Sequence, residues 1–117
     1  MIYLLIGVGA FFGAISRFLL SSFLAKIMFL GFPLGTLVTN LIGCFLIGIF
    51  LAINFSNKDL IGPLAIIGFL GSFTTMSAFT HQVIIMINTN FINALSYIII
   101  TVALSIFATY FGTLITK

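Results

Sequence analysis

The stretch Gly68-Phe69-Leu70-Gly71-Ser72-Phe73-Thr74-Thr75-Met76-Ser77-Ala78-Phe79 places two glycines, two serines and two threonines inside a long apolar run. A lipid-facing helix would carry leucines there. A membrane helix tolerates such a patch where its backbone is buried in protein or lines a hydrated cavity. Backbone that unwinds at that depth exposes carbonyls, which is how transport proteins bind ions. The chemistry indicated is ion handling inside a membrane.

Other polar residues recur at helical spacing. Thr36, Asn40 and Gly43 stand at i, i+4 and i+7 and so share one helix face. The Asn40 amide offers two donors and an acceptor. It serves either as glue between helices or as a donor to an anion in a pore. Tyr97, Thr101 and Ser105 recur every four residues, a hydroxyl stripe about 12 Å long. Such hydroxyls donate to anions, satisfy one another across helices, or bond to their own backbone. Met76 and Phe79 are at i and i+3, a spacing that also suits core packing; an aromatic ring has a positive edge that an anion can meet in its plane. Arg17 follows Gly7, Gly9 and Gly13. It is either an anchor that snorkels to the membrane surface or a fixed charge drawing anions to a vestibule. With no intramembrane carboxylate to pair with it, the vestibule reading is favoured. His81 reads as a hydrogen-bonded core residue and not as a metal ligand, since one Asp, one Cys and no Glu leave no metal cluster around it.

These residues need elements to hold them. The chain has 117 residues, 62% hydrophobic and 4% charged, with mean hydropathy +1.43. Soluble domains carry about 25% charged residues, so this is an integral membrane protein. One span takes about 20 apolar residues, which leaves room for four spans in a single domain, residues 1–117, and for no extramembrane domain. The spans run from about 2 to 23, 32 to 54, 60 to 87 and 91 to 115. Pro33 opens the second, residues 54–59 form the clearest loop, and residues 88–90 mark the third break. The apolar runs do not alternate with period two, so barrel strands are excluded. Gly9 and Gly13 form a small-xxx-small pair that permits close helix contact. An N-terminus without a charged region argues against a cleaved signal peptide. Cys44 sits in an apolar run as a small core residue.

The net charge of +3 rests on Arg17, Lys26, Lys58 and Lys117 against Asp59. The cations are scattered, which excludes a nucleic-acid surface. Four spans put Lys58 and Lys117 on one side and Arg17 and Lys26 on the other. A tie gives the insertion machinery no preference. The expectation is dual topology and an antiparallel two-fold dimer, although four charges are a small basis for such a tally.

Gly13-Ala14-Ile15-Ser16-Arg17, Gly35-Thr36-Leu37-Val38-Thr39-Asn40-Leu41-Ile42-Gly43 and the Gly68–Phe79 stretch together resemble the Fluc/CrcB family of bacterial fluoride channels. Length, motif order and span layout agree over nearly the whole chain. The resemblance implies an all-α fold with four transmembrane helices per subunit, the third broken near the midplane. It implies an antiparallel dual-topology dimer with two pores, in the bacterial cell membrane, passing fluoride down its gradient. A structural sodium ion, not transported, would sit at the dimer centre on the backbone carbonyls of Gly71 and Thr74. Arg17 would stand in the vestibule. Asn40, Met76, Ser77, Phe79, Tyr97, Thr101 and Ser105 would line the fluoride path. The family carries two phenylalanines where this chain has Met76 and Phe79. Methionine offers no ring edge, so one aromatic contact is missing, and Ala78 loses a hydroxyl.

A pore of this kind suits fluoride, which is small and holds its water tightly. Donors such as the Asn40 amide, hydroxyls and ring edges must replace that shell yet release the ion. Narrowness rejects chloride. The partner is another copy of the chain or a sister subunit, in a lipid bilayer. The rival reading is a small four-span multidrug exporter, which couples to protons through an embedded carboxylate; the sole acid here is Asp59, in a loop. An accessory subunit of a larger complex is a third reading. An enzyme would need a nucleophile, a base and an orienting group, and no such set exists.

Overall fold

The computed structural model describes residues 1–25, 28–29, 32–53 and 58–115. Backbone groups in lipid must bond within their own segment, so long apolar runs wind into helices. Helix α1 spans Ile2–Leu24 and α2 spans Leu34–Ala52. At about 1.5 Å per residue, each crosses most or all of a hydrocarbon core about 30 Å thick. Between them, β1 (Met28–Phe29) pairs antiparallel with β2 (Phe32–Pro33), a two-residue ladder that the apolar pattern did not announce. Pro33 lies just before α2 rather than in its first turn, with φ −75°.

The third span is composite. It begins with α3 (Lys58–Ile61), widens into a π-helical run over Gly62–Leu70, and tightens again in α4 (Gly71–Phe73). Pro63, which has no N–H to donate, sits at the start of the wide run. Thr74 and Thr75 are extended (φ −80°, ψ 151° and φ −145°, ψ 123°). Helix α5 then runs Met76–Thr89. The break falls midway along a span of Asp59–Thr89. Asn90 alone separates α5 from α6 (Phe91–Ile115), and its side-chain oxygen accepts from the Ile92 and Asn93 N–H groups. An Asn that caps its own helix start needs no longer loop.

All four expected spans are present, and the chain is a multi-pass membrane protein of all-α class. The start of the third span shifts. Lys58 and Asp59 belong to α3 and not to a loop, and residues 54–57 lie outside the described residues, as do Lys26 and Lys117. The charge tally between the two sides therefore falls largely outside the described residues.

Small residues build the two main seams. In the first, α1 lies on the π-helical run: a methyl at Gly9 would strike the Leu64 carbonyl, and one at Gly13 the Phe69 carbonyl and Ser72 Oγ. In the second, α2 lies on α6: a methyl at Gly48 would strike the Thr109 carbonyl and one at Gly112 the Phe45 carbonyl. The expected Gly9/Gly13 contact is thus realised against the third span. Phe11, Phe18, Ile106 and Phe107 are exposed, as side chains facing lipid tails are. Tyr97, Ala94, Phe79, Val83, Met86 and Leu37 form the buried cluster between α2, α5 and α6.

Candidate functional site

The break at Thr74-Thr75 strips helical partners from the surrounding backbone, and side chains from neighbouring helices replace some of them. The Asn40 amide donates from Nδ2 to the Thr75 carbonyl (3.0 Å) and accepts at Oδ1 from the Thr75 N–H (2.8 Å). One side chain on α2 thus pairs with an extended residue as a neighbouring strand would. Thr75 caps α5, its Oγ1 accepting from the Ala78 N–H (3.3 Å). Arg17 Nε donates to the Ser72 carbonyl (3.1 Å). Ser72 Oγ ties the third span to α1 through the Ala10 carbonyl (3.0 Å).

The break leaves several carbonyls without a helical donor. In a continuous helix the Gly71 carbonyl would accept from the Thr75 N–H, which here goes to Asn40. The Thr74 carbonyl would accept from the Ala78 N–H, which here goes to the Thr75 hydroxyl. Gly71 and Thr74 therefore lose their helical donors, as does Phe73 between them, while the Ser72 and Thr75 carbonyls are taken by Arg17 and Asn40.

A cleft of about 410 Å³ opens beside the break. It gathers Asn40, Gly71, Thr74, Met76, Phe79, Thr101 and Ser105 onto one surface, with Cys44 beside them. Cys44 is half-buried on this cleft and not enclosed in the core. Met76 is 71% exposed, whereas Phe79 is buried with its ring 5.3 Å from that of Tyr97. Thr101 is 5% exposed, and its buried hydroxyl neighbours the Tyr97 side chain.

A second cleft, of about 350 Å³, holds Arg17, Ser21, Ser22, Thr36, Thr75 and Gln82. Thr75 lines both clefts. Thr36 is buried here and not beside Asn40's cleft, although the two share a helix face. Arg17 is no free surface anchor: it is half-buried, bound to Ser72 and on the wall of this cleft.

Two expected site residues stand apart. Tyr97 is fully buried, and its hydroxyl donates to Gln82 Oε1 (3.0 Å), so only Thr101 and Ser105 of the stripe reach the first cleft. Ser77 is exposed on the first turn of α5, its Oγ 3.2 Å from Thr75 Oγ1. His81 is exposed on α5 and not in the core. The sequence reading missed Gln82 and the role of Thr75. Gln82 is an amide in an apolar span, which is itself a signal. Thr75 stands three residues before Ala78, the spacing of a helix cap.

The family described as CrcB-like protein, Camphor Resistance (CrcB), matches residues 4–113. The chain belongs to that family. It is 38% identical over 114 residues to the Fluoride-specific ion channel FluC of Nitratiruptor sp., covering 96% of this chain and 89% of that one. It is 40% identical to the Campylobacter lari protein of the same name (97% and 96% covered) and 42% identical to that of Photobacterium profundum (92% and 87%). These relatives are named as channels and not as enzymes.

Proposed function

We propose that the chain forms a fluoride-specific ion channel that lets fluoride leave the cell passively and lowers its cytoplasmic level. The reading rests on the cleft at the break, which brings the Asn40 amide together with Phe79, Thr101 and Ser105. That wall offers N–H, O–H and ring-edge donors and no carboxylate, which suits an anion and repels none. Asn40 spends one Nδ2 hydrogen on Thr75 and retains a second. The relatives' names supply the ion.

The subunits are an antiparallel pair, of identical copies or of sister chains, meeting across the open cleft. The break suits a structural sodium. Two carbonyls without helical donors, Gly71 and Thr74, give four oxygens from two copies, the donor type that hard cations take. Bound there, the ion would supply fixed positive charge between the carbonyls of the two copies. The path runs from the Arg17 cleft past Thr75 to Phe79, Thr101 and Ser105, with Met76 at the open edge. Tyr97 acts from behind, packing Phe79, and Ser77 acts through Thr75.

The test is efflux from liposomes carrying the purified chain, read with a fluoride electrode and then with chloride. Fast fluoride loss with negligible chloride loss is expected. Equal loss of both, or retention of fluoride, would refute the reading.

A further inference from the structure

Arg17 donates through Nε to a backbone carbonyl, not to an anion and not to an acid. The carbonyl it chooses, Ser72, lies in the last turn of the first half of the broken span. In a continuous helix Ser72 would be served by the Met76 N–H, which the break carries out of register. A guanidinium is a strong match for a helix C-terminus, where carbonyls gather partial negative charge. Ser72 is flanked by Gly71 and lies two residues before Thr74, the two positions whose N–H donors are diverted.

We propose that Arg17 is a positioning residue for the cation site at the break. By occupying the Ser72 carbonyl it fixes the last turn of α4 and so holds the Gly71 and Thr74 carbonyls in the orientation that faces the ion. Without it, Ser72 becomes a further orphan at the same helix end, and the turn is free to rotate a different carbonyl outward. Asn40 does the matching task one residue beyond, at the Thr75 carbonyl. The two side chains come from different helices, α1 and α2, so the break is clamped from both sides. This inference rests on the sodium reading above.

Charge and geometry make opposite forecasts. If Arg17 acted only as a positive charge, it would repel sodium, and Arg17→Gln would lower the sodium needed. If it positions carbonyls, Arg17→Gln raises it. Arg17→Lys keeps the charge but loses the Nε–H and the planar fork, so positioning predicts that it too raises the requirement.

The experiment is thermal unfolding of the purified full chain in detergent, titrated with sodium at constant ionic strength against N-methylglucamine. A ligand bound only by the folded state raises the midpoint as it saturates. In the unaltered chain the midpoint should rise with sodium. Both Arg17→Lys and Arg17→Gln should need about tenfold more sodium for half the effect, the scale of one lost charge-assisted hydrogen bond. Midpoints in N-methylglucamine alone report folding separately from sodium binding. Sodium dependence in the unaltered chain with no shift in Arg17→Lys would overturn this proposal and leave the sodium reading standing. No sodium dependence in the unaltered chain would overturn both. Should Arg17→Lys not fold, a lowered sodium requirement in Arg17→Gln would still overturn it.

Discussion

Asn40 concentrates the account at the level of one side chain. Its position on a polar helix face was legible from spacing, and the two uses of its amide, glue and donor, could not be separated there. Contacts resolve the first use: both amide atoms bond the Thr75 backbone. No spacing rule contains Thr75, because it lies on another span and is extended only where that span breaks. Asn40→Asp replaces a donor with a carboxylate facing the Thr75 carbonyl and sets a negative charge on the wall of the proposed fluoride path. We expect a stability loss of about 1–3 kcal/mol and fluoride efflux at background. Unchanged efflux in a folded Asn40→Asp channel would remove Asn40 from the path. Tyr97 teaches the converse. The i+4 stripe is real, yet α6 turns its first member into the core and its later members to the cleft, and which way a helix is rotated depends on its neighbours.

Between elements, glycines set the distances. Gly48 of α2 lies against the Thr109 backbone of α6, where an added methyl has no room. Gly7 of α1 has nothing within 4 Å of an added methyl. Both are glycines in apolar helices, and composition alone treats them alike. Gly48→Ala should lower the thermal midpoint, at the cost of about 1–3 kcal/mol for overpacking. Gly7→Ala should leave it level or raise it, since Ala is the better helix former by about 1 kcal/mol. Equal midpoints for the two variants would contradict the close α2–α6 seam. Four helical spans were legible because apolar runs of this length have only helices open to them. The π-helical run and the two-residue ladder were not, since each depends on local backbone partners that hydropathy does not encode.

At the level of the molecule, the scarcity of charge is what motivates the proposal of dual insertion. In a Cys44→Ala background, Asp59→Cys puts a thiol on exposed α3. Dual insertion predicts that a membrane-impermeant reagent labels part of the population from outside and the rest only after permeabilisation; labelling wholly from one side would refute it. The central proposal is that fluoride travels along the cleft between α2, α5 and α6, past Thr101. We would measure fluoride and chloride efflux from liposomes carrying the unaltered chain, Thr101→Ser or Thr101→Val. Thr101→Ser should stay near the unaltered rate, and Thr101→Val should lose fluoride about tenfold more slowly, with chloride excluded throughout. Fluoride efflux through Thr101→Val at the unaltered rate would contradict the claim.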